Sequence, residues 1–513
     1  MSIDHTDSTL TQFPSAYWLE HPVPEYPSLN DNVTTEFAVI GGGIVGIITA
    51  YRLAKAGKDV TLIDSGKLIS GVTGNTTAKL SAQHSLLYSE LIKTFNEDKA
   101  RLYYDANMDG IQFVKETAET LSIDCDFEEK EAVVYATSQK GKKQIEKEAR
   151  AYESLSINGY LTNGQVSDLP FPTEAALTMV EQAQFHPVKF LSKLAEEITR
   201  LGGKIYQDTR AVSLLKQKTA VLTEHGSVID CQKVMVTTHY PFNDFKGLYF
   251  SKLTIKRSYA LVAEVDGTIP EQMYISAESP TRSLRTVKDE SGKPLLLIGG
   301  ESHQTGKSSV PTQEHYDNLK AYGKEYFSLR SVLNHWSAQD MTTLDKLPYI
   351  GQMTRTSKDV YVATGFNKWG MAMGATAGKI LSDLVLEKPN AYTNLFNPTR
   401  SKFSLKDATQ FTKKNVSVGK DLVWTKAKRP DKTPDDLKTD EGGIVSVNGK
   451  KLGGYRDKEG ALHLIKTTCT HMGCGLEWND GERSWDCPCH GSRFSYSGEV
   501  LNGPAVKPLK RMD

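Results

Sequence analysis

The sequence predicts an α/β fold for most of the chain and a small all-β domain at its C-terminus. Near the N-terminus a strand, a glycine-rich turn, a helix and a second strand follow one another, which is the order of a parallel βαβ unit. These four elements are predicted at residues 37–40, 41–46, 47–55 and 60–63. Beyond residue 442, short strands are interrupted by glycine and asparagine, as is typical of an all-β domain.

Apolar periodicity and glycine stop signals predict the remaining elements. Helices are predicted within residues 89–121 and at residues 188–201 and 374–386. Strands are predicted at residues 204–206, 259–265, 295–298 and 359–363, and in the C-terminal part at 444–447, 451–455 and 462–467. Residues 406–432 are rich in Lys, Asp, Thr and Pro with few apolar anchors, which indicates a linker.

Bulk composition excludes several classes of protein. With 513 residues the chain is too long for one core, and its 62 basic residues balance 62 acidic ones. A neutral chain lacks the basic surface that nucleic-acid binding needs. The most apolar stretch, residues 37–50, is too short for a membrane span, and the N-terminus has no secretory signal. We therefore expect a soluble, cytoplasmic protein with no nucleic-acid partner.

The glycine turn has the pattern of a dinucleotide-binding site. Gly41 permits the tight turn, Gly43 lets a pyrophosphate approach the backbone, and Gly46 lets the helix pack closely on the strand. Asp64, at the end of the next strand, can accept hydrogen bonds from the ribose hydroxyls. This pattern alone does not distinguish FAD from NAD. A second glycine-rich turn, at residues 364–374 before a helix, favours FAD because its helix N-terminus can face the flavin.

Two C-terminal loops contain the ligands of an iron–sulfur centre. Cys469 and His471 lie in the first loop, and Cys487 and His490 lie in the second. Two thiolates can hold one iron and two imidazoles the other, which raises the potential above that of an all-cysteine cluster. A structural zinc site is the alternative, but zinc sites pair their cysteines and histidines differently. The sequence therefore predicts a [2Fe–2S] cluster.

The N-terminal motifs resemble the superfamily of FAD-dependent D-amino-acid, sarcosine and glycine oxidases. The resemblance covers roughly residues 15–400 and includes residues 70–78, 185–187, 344–351 and 364–366. It implies non-covalent FAD, bound by residues 30–95, 185–255 and 335–400, and an α+β substrate domain of residues 96–184 and 256–334. Four hydroxyl residues would lie along the flavin and two glycines would meet its ring: Ser70, Thr73, Thr76 and Thr77, and Gly365 and Gly370.

The C-terminal loops resemble those of Rieske proteins, and residues 433–513 would form this domain. The resemblance implies a disulfide between Cys474 and Cys489 that pins the two loops together. Ser492 matches a cluster hydrogen-bond donor of the family, whereas Phe494 replaces a donor tyrosine, which predicts a lower potential. Residues 503–505 resemble the third loop that covers the cluster. The combined chain resembles the YhfW-type Rieske flavoproteins of bacilli.

These resemblances imply an amine or amino-acid dehydrogenase with a small-molecule amine substrate. Electrons would pass from reduced FAD to the cluster and then, one at a time, to an external acceptor, a protein or a quinone. The alternative is a flavin–Rieske relay without its own small substrate. A Rieske oxygenase needs a second iron held by two histidines and a carboxylate. The 12 histidines offer no convincing ligand pair for it outside the two loops.

The candidate catalytic residues are predicted from their positions relative to the flavin motifs and the expected pocket. His84 closes the flavin-side segment, and Tyr259 and Lys368 lie in segments expected to border the pocket. Arg285, or Arg282, can hold a substrate carboxylate; a surface position is the alternative for both. A related oxidase uses a lysine over the flavin to react with oxygen. The matching residues 295–298 contain no lysine, which favours a dehydrogenase. Lys252 and Lys256 leave an oxidase as the alternative.

Overall fold

The computed structural model describes residues 10–215, 219–400, 430 and 432–512. The predicted linker, residues 406–432, lies outside the described residues except for its positions 430 and 432.

The helices begin where the sequence supplies a cap or a favourable first turn. The side chain of Asn96 accepts a hydrogen bond from the Lys99 N–H, so it caps the longest helix. Pro187 occupies the first turn of a later helix, where its missing N–H costs nothing. In chain order the helices are α1 (Ile44–Lys55), α2 (Tyr88–Thr94), α3 (Glu97–Thr120), α4 (Gln139–Ser154), α5 (Pro187–Arg200), α6 (Tyr249–Lys252), α7 (Gln313–Phe327), α8 (Ala372–Val385) and α9 (Thr393–Phe396).

The strands form four sheets. Those of the first two sheets are β1 (Val33–Ile40), β2 (Val60–Ile63), β3 (Lys79–Leu80), β4 (Glu128–Ala136), β5 (Gly159–Asn163), β6 (Ala175–Gln184), β7 (Lys204–Tyr206), β8 (Ala211–Leu214), β9 (Ala220–Thr223), β10 (Val228–Val236), β11 (Leu253–Val265), β12 (Met273–Ser276), β13 (Arg282–Lys288), β14 (Pro294–Gln304), β15 (Leu329–Thr343), β16 (Tyr349–Gln352) and β17 (Val360–Thr364). Those of the C-terminal domain are β18 (Glu441–Val447), β19 (Lys450–Arg456), β20 (Leu462–Ile465), β21 (Glu477–Asn479), β22 (Ser484–Asp486), β23 (Arg493–Ser495) and β24 (Val500–Asn502).

The first sheet is built on parallel strands and collects the predicted nucleotide-binding turns at one edge. Its strand order is β16-β17-β10-β1-β2-β7, with β9 and β8 attached beside β10. Strands β2, β1, β10 and β17 are parallel neighbours, so their carboxyl ends lie together. Gly41 follows β1, Thr237 follows β10 and Gly365 follows β17. This common edge is where open α/β sheets bind ligands.

The second sheet is mostly antiparallel, with strand order β15-β11-β14-β13-β12-β4-β6-β3 and β5 paired to β6. Its two faces pack against different partners. Ala260, Leu297 and Trp336 belong to the same core as α1 and α8, and we call this face the inner face. Tyr259 and Leu261 pack with α7 on the opposite side, the outer face. The first sheet belongs to an α/β region and the second to an α+β region, and together they confirm the predicted fold class.

The C-terminal domain is all-β, as predicted. It contains a three-stranded sheet, β18-β19-β20, and a four-stranded sheet, β21-β22-β23-β24. Trp485 and Phe494 are fully buried in its core, which also contains the loop cysteines. In the part of the chain that the structure describes, no helix is long and apolar enough to cross a membrane.

The C-terminal domain contacts the outer face of the second sheet through buried polar groups. The Arg257 guanidinium of β11 lies 3.6 Å from the Glu482 carboxylate, which also accepts a hydrogen bond of 2.5 Å from the Tyr316 hydroxyl. The Thr312 N–H, just before α7, donates to Asp480 at 2.8 Å. Arg257 is 1% exposed, so this contact excludes water. A buried pair of this kind is costly to break, because removal of one partner leaves the other charge buried alone.

Candidate functional site

The first glycine turn has the close packing that its sequence predicts. Gly41 has a φ of +109°, and a Cβ built on Gly46 would lie 1.8 Å from the carbonyl oxygen of Gly41. Only glycine fits at these two positions, so helix α1 starts against the end of β1. The Thr73 hydroxyl accepts a hydrogen bond of 3.1 Å from the Ile44 N–H, at the first turn of α1. These features fit a nucleotide pyrophosphate.

Asp64 is fixed beside this turn. Its carboxylate accepts hydrogen bonds from the Gly42 N–H at 2.6 Å and the Gly66 N–H at 2.9 Å. Burial raises the pKa of Asp64, and the two backbone hydrogen bonds act in the opposite direction. A carboxylate held in this way at the end of β2 has the position expected of a ribose-binding acid, which stays a prediction.

The flavin-side segment runs from an exposed turn to the inner face of the second sheet. The Ser70 hydroxyl donates to the Lys67 carbonyl at 2.6 Å on the exposed turn. The Thr76 carbonyl accepts a hydrogen bond of 2.7 Å from the indole of Trp18. A Cβ at Gly299 of β14 would lie 3.3 Å from the Thr77 methyl group, so Thr77 faces the inner face. The segment therefore ends against the inner face of the second sheet, and its contact with the flavin stays a prediction.

The second glycine turn lies beside the first. Gly365 has a φ of +81°, and the next turn residues Asn367 and Lys368 also have positive φ values. Consecutive non-glycine residues in this conformation are strained and are common at functional sites. A Cβ on Gly374 of α8 would lie 2.9 Å from the Ile44 side chain, so α8 and α1 are in close contact. Gly370 lies before the first turn of α8, where we expect the flavin ring.

Lys368 is the candidate catalytic residue that the structure brings to the inner face. Its ammonium donates to the Ser258 and Ser302 hydroxyls, the latter at 2.9 Å, and lies 4.0 Å from the Asp340 carboxylate. Burial lowers the pKa of Lys368, and Asp340 opposes that shift. Burial raises the pKa of Asp340. Asp340 could not be predicted from the sequence, because a lone aspartate in a strand carries no motif.

His84 lies in this region but has both ring nitrogens engaged. Nδ1 lies 2.6 Å from the Tyr103 hydroxyl and Nε2 lies 2.8 Å from the Ser81 carbonyl. The ring stacks on Trp369 at 4.7 Å. Burial lowers the pKa of His84 to about 3. Since the carbonyl only accepts, Nε2 carries the proton, and this neutral ring is better suited to orienting Trp369 than to proton transfer.

The two arginines lie away from a substrate-facing position. Arg285 is 3% exposed and donates to the carbonyls of Thr77, at 3.1 Å, and Ala78, at 2.7 Å. It therefore supports the flavin-side segment rather than a substrate carboxylate, and the surface alternative is wrong for it. Arg282 pairs with Glu301 at 2.6 Å, and Glu301 also contacts His315 of α7 on the outer face.

Tyr259 points away from the predicted flavin side. It lies in the outer-face core, and its hydroxyl is 2.9 Å from Nε2 of His303. Its neighbour Ser258 faces Lys368. Successive side chains of a strand alternate between the two faces of the sheet, so neighbouring residues lie on opposite sides. The prediction that Tyr259 contacts the substrate therefore needs correction: it borders the contact with the C-terminal domain.

The four predicted cluster ligands converge in a buried site. The rings of His471 and His490 are 5.1 Å apart and perpendicular. A hydrogen bond from the Cys487 thiol lowers the pKa of Cys469 to about 6, so the two sulfurs are adjacent. Within the described residues, Nδ1 of His471 is buried without a hydrogen-bond partner. A buried, unpartnered imidazole nitrogen beside two thiols fits a metal cluster.

The disulfide implied by the resemblance is present between Cys474 and Cys489. Its sulfurs and the Cys487 sulfur lie within 4.8 Å of one another. Because Cys474 and Cys489 are bonded to each other, they are not available as metal ligands, and the histidine-containing set is the one that fits. The Ser492 hydroxyl accepts a hydrogen bond from the Ala505 N–H at 3.1 Å, which joins the second and third loops.

Residues of the first sheet region form one wall of the cluster site. The Phe245 ring lies 5.5 Å from the His471 ring, and the Phe250 ring lies 5.6 Å from the His490 ring. The Asp244 carboxylate, 1% exposed, lies 3.4 Å from Nε2 of His471. The histidine side of the site is therefore turned toward the flavin region.

A short segment joins the two candidate sites. At its start, the Thr237 hydroxyl donates to the Gly41 carbonyl at 3.0 Å, and at its end Asp244 contacts His471. Within it, Nε2 of His239 donates to the Gln339 carbonyl at 2.8 Å. The Gln339 side chain donates to the Gly491 carbonyl of the second cluster loop at 3.0 Å. Residues 237–244 thus connect the nucleotide turn and the cluster.

Comparisons with known proteins agree with this geometry. The family of FAD dependent oxidoreductases (DAO) matches residues 36–384, and the Rieske [2Fe–2S] domain matches residues 428–513. The chain is 41% identical over 506 residues to the Rieske 2Fe–2S iron–sulfur protein YhfW of Bacillus subtilis, with 98% of each chain covered. It is 22% identical to gamma-glutamylputrescine oxidoreductase of Escherichia coli, covering 75% of this chain and 93% of the relative.

The fold is also that of a solved amino-acid oxidase. The glycine oxidase of Geobacillus kaustophilus superposes with a TM-score of 0.62 at 17% identity, covering 72% of this chain and 100% of the oxidase. Fold and sites together define an FAD-dependent oxidoreductase with an iron–sulfur domain. The chain belongs to the DAO family of FAD-dependent oxidoreductases and has a C-terminal Rieske domain, so its cofactors are FAD and a [2Fe–2S] cluster.

Proposed function

We propose that this protein is a dehydrogenase of small amines or amino acids that passes electrons from FAD to its Rieske cluster. The observation that carries the proposal is the position of β15 between the two sites. Gln339 donates to the second cluster loop, and the next residue, Asp340, lies beside Lys368 on the inner face. A single layer of sheet therefore separates the two candidate sites.

The chain offers binding groups for both cofactors. Gly41, Gly43, Gly46 and Asp64 would hold the FAD nucleotide, and Cys469, His471, Cys487 and His490 would hold the cluster. Bound FAD would accept a hydride from a carbon next to an amine, and the cluster would carry its electrons one at a time.

Lys368 and Asp340 would control the proton of the substrate amine. An amine must lose its proton before it loses a hydride, so a neutral lysine at the inner face is a suitable base. Partial burial lowers the pKa of Lys368, which makes the neutral form more accessible. The Ser258 and Ser302 hydroxyls fix the direction of its Nζ atom.

The distinction between dehydrogenase and oxidase depends on lysines at the inner face. Lys252 lies over the rings of Tyr249 and Tyr349, away from this face. Lys256 lies opposite Asp340 in the register of β11 and β15, so it faces the same side as Asp340. If the protein is a dehydrogenase, substrate-reduced flavin should react slowly with oxygen, and rapid reoxidation in air would indicate an oxidase.

Anaerobic titration with a panel of amines and amino acids tests the proposed function. We expect one amine to bleach the flavin absorbance and then to produce the EPR signal of the reduced cluster. In the Cys487→Ser variant the flavin should bleach without the EPR signal of the cluster. The Cys231→Ser variant, at a buried cysteine outside the cluster, should behave as the wild type. If every amine fails while NAD(P)H or a protein donor reduces both centres, the relay without its own substrate is correct.

A further inference from the structure

Exposed apolar side chains are concentrated next to the cluster site. Phe245 is 55% exposed, Leu248 is 52% exposed and Met472 is 43% exposed. Phe245 and Leu248 lie on one turn, and Met472 follows His471 in the first cluster loop. We call these three residues the exit patch. Exposed large apolar groups beside one functional site are candidates for a binding surface.

The exit patch contacts a predicted cluster ligand. The Phe245 ring lies 5.5 Å from the His471 ring. All four predicted ligands are buried: the His471 side chain is 5% exposed, and Cys469, Cys487 and His490 are 3%, 1% and 4% exposed. Phe245, which is exposed and contacts His471, therefore offers electrons a short route from the cluster to solvent. The patch also continues the contact between the C-terminal domain and the flavin region.

Basic side chains border the exit patch. Lys246 lies between Phe245 and Leu248 in the chain and is exposed. Lys507 is also exposed, and its carbonyl accepts a hydrogen bond of 2.6 Å from the Thr470 hydroxyl, next to His471. The one acid of this turn, Asp244, is 1% exposed. Since the whole chain has no net charge, this positive border is a local feature.

We propose that the exit patch is the docking surface for an acidic one-electron carrier protein. This inference rests on the proposed function, because it assumes that the cluster discharges to an outside acceptor. Each oxidation of one amine would release two electrons, and two carrier molecules would each accept one of them. The cluster would return to its oxidised state after each transfer. An apolar centre with a charged border is typical of interfaces between proteins that associate transiently.

Cytochrome c provides a matched pair of probes. The native protein is basic, whereas succinylation of its lysines makes it acidic and leaves the haem in place. The cluster of the full chain is first reduced chemically, and its reoxidation is then followed by stopped-flow absorbance. We expect the acidic form to react about tenfold faster than the native form at low salt, with the difference falling as salt increases.

Variants of the patch test the assignment. Replacing Lys246 and Lys507 together by Glu should reverse the preference, so that native cytochrome c reacts faster. Leu248→Glu should slow the acidic form about tenfold. Leu161→Glu is the matched control, because Leu161 is an exposed apolar residue (37%) on β5. It should leave both rates unchanged. Equal rates for the two probes in the wild type, or an unchanged preference in the double variant, would overturn the proposal.

A labelling experiment gives a readout that does not depend on electron transfer. In Leu248→Cys, the new thiol should react rapidly with a maleimide, and excess succinylated cytochrome c should slow that reaction. Slow labelling before any carrier is added would mean that the patch is already covered. A soluble quinone that protects the thiol equally well would identify a small acceptor instead. Either result overturns the inference.

Failure of this inference and failure of the proposed function are distinguishable. The carrier experiments begin with a chemically reduced cluster, so they need neither an amine nor flavin reduction. If no amine bleaches the flavin but the acidic probe is preferred, the docking surface stands and the dehydrogenase does not. If amines reduce the cluster but the two probes react at equal rates, the dehydrogenase stands and the docking surface does not.

Discussion

At the scale of single residues, two neighbours in β15 serve opposite sides of one sheet. Gln339 donates to the carbonyl of Gly491 in the second cluster loop, whereas Asp340 lies 4.0 Å from the Lys368 ammonium. The alternation of side chains along a strand places them on different faces. One strand therefore contributes to both candidate sites without any change in its backbone direction.

The proposed base predicts a particular pH dependence. If Lys368 acts in its neutral form, the rate of flavin reduction by substrate rises with pH. Asp340 raises the pKa of Lys368, so Asp340→Asn should lower it and move this rise to lower pH. Lys368→Met should remove the rise and slow flavin reduction by about 10²–10⁴-fold. Stopped-flow bleaching across the pH range measures both effects.

The control for this experiment is Lys379→Met, at a surface lysine that pairs with Asp109. Its pH profile should match that of the wild type. A Lys368→Met profile that keeps its rise would assign the base to another group.

Close packing at the first glycine turn predicts the effect of one methyl group. In Gly46→Ala the new Cβ would lie 1.8 Å from the Gly41 carbonyl oxygen, so the turn must open. Overpacking of this kind costs about 1–3 kcal/mol, which corresponds to a loss of about 5–150-fold in FAD affinity. Fluorescence titration of the flavin-free protein with FAD measures the change. Gly443→Ala in β18, with no atom within 4 Å of its Cβ, should bind FAD normally.

At the scale of elements, the sequence was most informative where backbone geometry demands particular residues. Strand Val60–Ile63 and strand Lys204–Tyr206 agree with their predicted bounds, because apolar runs and glycine stop signals are local. The helix predicted from residue 47 begins at Ile44 instead. Helix starts are weakly marked when, as here, the first residue of the helix follows a glycine without a side-chain cap.

Strand faces could not be predicted from local signals. The outward direction of Tyr259 depends on which residues of β14 and β15 lie opposite it, and these are about 40 and 80 positions further along the chain. The predicted loop ligands differ, because two cysteines and two histidines at fixed spacing form a recognisable motif. That these residues lie close together was therefore predictable, whereas the face on which a strand residue lies, which follows from register, was not.

The buried contact between the domains predicts unequal effects of two acidic residues. Glu482→Ala would leave the buried Arg257 guanidinium without its carboxylate, which costs about 3–5 kcal/mol. We expect easier proteolysis between the domains and slower reduction of the cluster by the flavin. Glu499→Ala removes an exposed pair with Arg511 and should cost at most about 1 kcal/mol. Equal sensitivity of the two variants to protease would contradict this role for Glu482.

At the scale of the whole molecule, the contact between the domains predicts electron transfer within one chain. The rate of cluster reduction after photoreduction of the flavin should not change with protein concentration. A mixture of Cys487→Ser, which should lack the cluster, and Gly46→Ala, depleted of FAD, should not transfer electrons between chains. A rate that rises with concentration would instead indicate transfer between molecules.

Buried neutral histidines predict a loss of stability in acid. Burial lowers the pKa of His84 and His186 to about 3 and that of His303 and His335 to about 4. The unfolded chain therefore binds more protons below the usual histidine pKa of about 6.5. The stability that these groups contribute is complete above pH 6.5 and falls as the pH approaches 4.

Melting temperatures measured between pH 8 and about pH 4.5 test this expectation. His335→Phe should reduce the dependence of the melting temperature on pH, because phenylalanine cannot take up a proton. His225→Phe is the control, since that side chain is 66% exposed. An identical pH dependence in His335→Phe and the wild type would contradict the prediction.

The wall that the flavin region builds around the cluster limits how freely this domain can be exchanged between proteins. Asp244, Phe245 and Phe250 lie outside the Rieske domain but contact its two histidines. A graft of residues 433–513 onto another protein would carry all four predicted ligands and only part of their surroundings. Its cluster would meet water where this chain places a carboxylate and two aromatic rings. For protein engineering, the transferable unit is therefore the domain together with residues 237–255.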